Sequence, residues 1–215
     1  PGATKVVGGY DFVGEVWPSG PLAPDPNPID LEGHGTHVSD IIAGRSADGT
    51  HKGVAPGASL YGVKVCSAVS TSCSGIAILQ GIEWALDPNG DGDISDAVDV
   101  INMSLGSSYG QREDDSSAAT ANASKFGVTV VVSAGNSADR PFITGSPSST
   151  PEAISVAQTN VPSALTYALV VNSPPAVAGT YRNTNTVDWA PITTGFTGDV
   201  TYTGDLGSAL ACAAL

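Results

Sequence analysis

The sequence predicts an α/β fold with a mainly parallel sheet and helices on both faces, followed from about residue 160 by a smaller β-rich part. Through residue 159, apolar runs of strand length alternate with longer runs whose apolar residues recur at helical spacing, the pattern of right-handed βαβ units. Beyond it the helical period disappears, leaving short β-like runs separated by Pro, Gly and Asn. A third observation sets the scale. The 215 residues suffice for one large domain or a domain and part of another, and 13% charged residues with 26 Gly and 15 Pro describe a loop-rich globular chain rather than a disordered one.

In chain order, Val6, Val7, Tyr10 and Phe12 form the first strand-like run, and a long surface loop follows through Pro18, Pro21, Pro24, Pro26 and Pro28. Gly33 to Gly44 then reads Gly-His-Gly-Thr-His-Val-Ser-Asp-Ile-Ile-Ala-Gly. Val38, Ile41 and Ile42 fall at i, i+3 and i+4, which predicts a helix with one buried face, His34 and His37 on its first turn and Gly44 as a left-handed stop. Gly53 to Gly57 is a turn, and Leu60 to Cys66 alternates into a buried strand. Ile76, Leu79, Ile82 and Leu86 with Trp84 have the spacing of a second helix packed on the sheet. Val98 to Gly106 is a near-continuous apolar strand of the kind covered on both faces. A small-residue helix from about Ser116 to Phe126 is closed by Gly127. Val128 to Val132 is a buried strand running into Ser133-Ala134-Gly135-Asn136, and Ala153 to Ala157 is one more. Tyr167 to Asn172, Thr180 to Tyr181, Val187 to Ala190 and Asp199 to Gly204 make up the β-rich remainder.

A net charge of -13 with eight Lys+Arg argues against nucleic acid and anionic membrane surfaces as partners. It suits a secreted, soluble protein that holds cations. No stretch approaches the length of a transmembrane helix, and nothing at the N-terminus reads as a signal peptide. Beginning at Pro1 and ending at Leu215 within apparent structure, the chain reads as a processed or excised piece, and nothing in it specifies an oligomeric state. Of the three cysteines, Cys66 and Cys73 bracket a short polar loop that a disulfide closes in an oxidising compartment; two free thiols are the alternative, and Cys212 has no partner here.

Parallel sheets bind ligands outside the carboxyl ends of their strands, which singles out Ser104-Leu105-Gly106 and Ala134-Gly135-Asn136. Alone, Asn136 reads first as a turn residue after Gly135, and it is the histidine motif upstream in the expected order that favours a functional role. His34 has three readings: a satisfied polar residue at a helix start, a metal pair with His37, or a general base. The metal pair ranks low, because the zincin pattern needs i, i+4 spacing and a glutamate inside it. A separate constellation runs from Asp87 to Asp96. Asp87, Asn89, Asp91 and Asp93 stand at alternate positions, with Gly92 in the turn and Ile94 at the eighth place, as in the first part of an EF-hand calcium loop. Val98 occupies position twelve, where that loop carries a bidentate Glu, so Asp96 has to close the shell. The alternative is a solvated acidic turn.

Taken together and in order, His34-Gly35-Thr36-His37-Val38, Gly53-Val54-Ala55-Pro56, Ser104-Leu105-Gly106 and Ser133-Ala134-Gly135-Asn136 resemble the motifs of the subtilisin-like serine proteases (peptidase S8). The family's His-Gly-Thr-His-Val-Ala-Gly departs here at Ser39-Asp40. The resemblance implies a subtilisin-like fold, a polypeptide substrate, His34 as catalytic base and Asn136 as the side-chain donor to the oxyanion. It also implies that an extended substrate pairs with the Ser104-Leu105-Gly106 edge, with Ala134 and Gly135 as the other wall of a side-chain pocket that admits a large apolar or aromatic residue. Two family motifs are missing. No Asp-Thr-Gly or Asp-Ser-Gly precedes His34; Asp11 lies in Tyr-Asp-Phe-Val-Gly, and Asp25 and Asp30 lie in the proline-rich loop. No Gly-Thr-Ser-Met-Ala follows, and Gly145-Ser146-Pro147-Ser148 falls too early. The expectation is an internal piece of a secreted serine endopeptidase, inactive by itself, with residues 1–159 from the peptidase domain and 160–215 opening an inserted protease-associated domain. A catalytically inactive peptide-binding relative and a calcium-binding adhesive module are the rivals.

Overall fold

The structure, a computed structural model, describes residues 5–69, 72–137, 139–159, 168–181 and 198. The chain divides into two compact units, Pro1–Thr159 and Asn160–Leu215. In the first, strands β1 (Val6–Asp11), β2 (Leu60–Lys64), β3 (Val100–Met103), β4 (Thr129–Ser133) and β5 (Ile154–Val156) all pair in parallel. Helices α1 (His34–Ala43), α2 (Gly75–Leu86) and α3 (Asp115–Lys125) alternate with them, giving the expected α/β architecture. The strands form two sheets, β1-β2 and β3-β4-β5, rather than one.

Helix α2 joins the two. Its Ser74 cap accepts from the Ala77 N–H at 3.4 Å. Ala77 and Gly81 face the β1-β2 side; a Cβ on Gly81 would stand 2.8 Å from Val63 Cγ1. Ile82, 4% exposed, turns instead into the core of Met103, Ala123, Val128, Val130 and Val132 between β3, β4 and α3. Burying such a side chain contributes about 2 kcal/mol. Ile78 and Leu105 pack against both cores. Helix α3 is opened by Asp114, which accepts from the Ser117 N–H at 2.8 Å, and ends on Lys125 where a cation favours the helix dipole.

Four expectations need correction. The run at Ala153–Ala157 is a strand over β5 but not a buried one: Ile154 and Val156 are 54% and 49% exposed, because β5 is an edge of its sheet. The apolar run at Val98–Gly106 is a strand only over β3 and is not covered on both faces: Val100 is 55% exposed, because β3 is the edge of its sheet. Helix α1 does not bury an apolar face. Ile41 is 51% exposed, Val38 and Ile42 are half-buried and only Ala43 is fully buried, because the end of α1 leans on the main chain of Gly53, Val54 and Ala55. Gly44 is not left-handed (φ -57, ψ 151); its N–H reaches Asp40 O, and glycine is required because a Cβ would stand 1.9 Å from Asp40 Oδ1.

Cys66 and Cys73 are joined by a disulfide. In the second unit, β6 (Leu169–Val171) and β7 (Gly179–Tyr181) form an antiparallel pair, and the Tyr181 hydroxyl donates to Val177 O at 2.9 Å. The expected runs at 187–190 and 199–204, and Cys212, lie outside the described residues. Among those residues no helix is long and apolar enough to cross a membrane.

Candidate functional site

Strands β3 and β4 pair in register to Met103 and Val132, so their following residues leave the sheet side by side. Between them lies a cavity of about 280 Å³ with Ser104, Leu105 and Gly106 on one wall and Ala134, Gly135 and Asn136 on the other. The walls are tied together: the Ser133 hydroxyl donates to Leu105 O at 3.3 Å, and the Ser108 and Ser137 hydroxyls are 2.8 Å apart. Gly135 has φ 102, the left-handed region that a side chain resists, which releases the chain from β4 into the turn carrying Asn136. A third loop closes the cavity with Ile143 and Gly145. It is held by reciprocal main-chain bonds between Ser107 and Ser146 at 3.1 and 3.0 Å. A Cβ on Gly145 would stand 2.0 Å from Ser107 O, so only glycine allows that approach.

His34, exposed, is the first residue of α1 and does not line this cavity. It opens the helix that follows β1 after the long proline-rich loop, whereas Ser104 and Ala134 directly follow β3 and β4. Its position is fixed by Asp30, which the sequence reading passed over. The Asp30 carboxylate accepts from the N–H groups of Glu32, Gly33 and Thr36 and from the Thr36 hydroxyl, all at 2.8 to 2.9 Å. Partial burial works to raise its pKa, yet those bonds outweigh it and hold the carboxyl well below the usual carboxylate range. A carboxylate four residues ahead of a helix start, with Thr36 in the first turn, was the available signal. The His34 N–H itself donates to Glu32 Oε2 at 2.8 Å.

Asp11, at the end of β1, is 1% exposed and fully engaged. Its Oδ1 accepts from the Val13 and Gly14 N–H groups at 2.8 and 2.7 Å, and its Oδ2 pairs with Lys64 Nζ at 3.0 Å. Lys64 also pairs with Glu15. Burial works to lower the Lys64 pKa, but Glu15 and Asp11 beside it raise it, so the ammonium stays charged. No sequence signal pairs residues this far apart.

In the acidic loop most carboxylate oxygens hold main-chain N–H groups: Asp87 those of Gly90, Asp91 and Gly92, Asp91 that of Asp93, and Asp93 that of Ser95. Asn89 Oδ1 accepts from Asp91 N, and Asp96 Oδ2 from Asn89 N. Asp96 Oδ1 is buried without a donor. Among the described residues no three His, Cys, Asp or Glu side chains are gathered into an arrangement that could hold a metal ion. Carboxylate and carboxamide oxygens are the donor type calcium takes, but here they are engaged by the loop's own N–H groups, and Asp96 Oδ1 is buried without such a partner.

The sequence model of the subtilase family, Peptidase_S8, matches residues 11–196. Over 155 residues the chain is 36% identical to the minor extracellular protease Vpr of Bacillus subtilis (strain 168), covering 72% of this chain and 18% of that protein. Subtilisin DY of Bacillus licheniformis is 42% identical over 134 residues, covering 62% of this chain and 41% of its own. Among solved structures, Sphericase superposes with a TM-score of 0.54 at 33% identity, over 68% of this chain and 44% of that one. The chain therefore spans less than half the length of each of these proteins.

Proposed function

Because the chain belongs to the subtilase family, we propose that it carries the base and the oxyanion donor of a secreted serine endopeptidase. The observation that carries this reading is the cavity at the carboxyl ends of β3 and β4, where Ser104 to Gly106 and Ala134 to Asn136 meet. A polypeptide lies extended along Ser104 to Gly106 and inserts one side chain between that edge and Ala134-Gly135. As a serine oxygen attacks the scissile carbonyl, His34 takes its proton and later returns it to the leaving amine. The Asn136 amide donates to the oxyanion, a contribution of about 3 kcal/mol to the transition state.

No residue of this chain is assigned as nucleophile or as the acid that orients His34. Asp11 is held by Lys64 and two N–H groups, and the Ser146 hydroxyl, 7% exposed, donates to Asp114. The 215-residue chain alone therefore hydrolyses nothing. In the full-length protein, Asn136→Ala lowers kcat by roughly 100- to 1,000-fold with little change in KM, and His34→Ala lowers it further. Full activity in either variant, or phosphonate-sensitive cleavage of a fluorogenic peptide by the 215-residue chain, contradicts the assignment.

Two further assignments accompany it. Calcium is held by Asp87, Asn89, Asp91, Asp93 and Asp96, supported by the Asp96 oxygen that lacks a donor. Bound there, the ion supplies the positive charge that offsets repulsion among these carboxylates. Residues 160–215 open an inserted protease-associated domain, a reading supported by the antiparallel β6-β7 pair after an all-parallel unit.

A further inference from the structure

Of the chain's asparagines only Asn89 is followed by glycine, and both residues are exposed in the loop between α2 and β3. A following glycine leaves its own main-chain nitrogen least obstructed in approaching the asparagine side-chain carbonyl, because it carries no Cβ. Gly90 has φ 74, and nothing stands within 4 Å of where a Cβ would lie. The Asn89 carboxamide is already held as a reacting carbonyl would be. Its Oδ1 accepts from the Asp91 N–H at 2.8 Å, a donor aimed at the oxygen on which negative charge develops when the carbonyl carbon is attacked. Its Nδ2, the group that departs, donates to Asp91 Oδ2 at 3.1 Å. One contact opposes reaction. The Gly90 N–H, which must give up its proton, donates to Asp87 Oδ1 at 2.8 Å, and a carboxylate beside it disfavours the amide anion.

We propose that Asn89 is a site of spontaneous covalent modification by the Gly90 nitrogen, and that Asp87 sets its pace. The Gly90 nitrogen bonds to Asn89 Cγ and gives its proton to solvent; the Cγ–Nδ2 bond breaks, Nδ2 takes a proton from water, and ammonia leaves. Water then opens the cyclic imide at either of its carbonyls, leaving aspartate or isoaspartate. Each product adds a negative charge beside Asp87, Asp91, Asp93 and Asp96, and the isomer also lengthens the main chain at this point, which breaks the spacing on which the loop's hydrogen bonds depend. The inference depends on neither the proteolytic nor the calcium reading.

The test incubates the full-length protein at mildly alkaline pH beside a synthetic peptide of residues 87–96, which serves as the clock. A chelator and a serine-directed phosphonate keep cation binding and self-digestion out of the readout. Peptide mapping by mass, methyltransferase labelling of isoaspartate and ammonia release are followed together. Asn89 is expected to be the first asparagine lost, giving aspartate and isoaspartate with an equal amount of ammonia. Asn89→Gln, whose longer side chain carries the carbonyl past the reach of a five-membered closure, releases none from this position. Asp87→Ala speeds the loss roughly fivefold, the effect of one hydrogen bond, whereas Asp87→Asn, which keeps an acceptor oxygen, changes it less. An Asn89 still intact when the peptide has fully reacted, or one lost only after another asparagine, overturns the site; equal rates in wild type and Asp87→Ala overturn the role of Asp87.

Discussion

Asp30→Ala tests whether the start of α1 is held in place by one carboxylate. The substitution removes the acceptor for three N–H groups and one hydroxyl. Charge-assisted bonds summed one by one would suggest roughly 6 kcal/mol or more, but that sum is the wrong magnitude, because this segment is exposed and water satisfies the released groups. The better measure is loss of a helix cap, about 1 to 2 kcal/mol at pH 7, with Asp30→Asn costing less because the carboxamide keeps one acceptor oxygen. Since the folded-state pKa of Asp30 lies below its ordinary value, its stabilisation is complete above about pH 4 and declines as the pH falls toward the folded value. Urea unfolding of wild type and Asp30→Ala should therefore show a gap at pH 7 that narrows toward pH 3. Amide exchange at residues 34–38 should accelerate in the variant, since α1 begins at His34. Equal stability at pH 7, or a gap that does not change with pH, would refute the reasoning.

Two other perturbations follow from the same geometry. Chelation of calcium should lower the melting temperature by roughly 5 to 10 °C, the shift expected for an ion present at a hundredfold excess over its Kd, and Asp96→Asn should abolish the response; an unchanged midpoint counts against the site. Gly145→Ala forces a Cβ against Ser107 O in a contact between two main chains and should cost about 2 to 3 kcal/mol in denaturant unfolding, an expectation that a loss below about 0.5 kcal/mol would defeat.

Much of the fold was legible because it is local. The apolar period of α2, the small residues of α3 and the β-branched run of β4 each depend on near neighbours in sequence, and their boundaries fell within a residue or two of expectation. Burial was less legible, because it depends on which strands flank which. Val100 and Ile41 look like core residues, yet one is on an edge strand and the other on a helix that leans on main chain. At the site, the short motifs marked both walls of the cavity. The sequence did not show the ties that shape it, Ser107 with Ser146, Ser108 with Ser137 and Ser146 with Asp114, because each joins residues about thirty or more apart through small polar groups with no periodic signature. Asp30 lay close enough to be read as a cap and was obscured by the prolines around it.

The reciprocal bond between Ser107 and Ser146 also measures out how much of a bound chain can be gripped by its backbone. Both main-chain groups of Ser107 are occupied, so under the proposed proteolytic reading the rail open to a visiting peptide stops at Gly106. A longer peptide gains nothing further there from amide pairing, which is blind to sequence. Whatever discrimination the protein exerts past that point has to come from side chains.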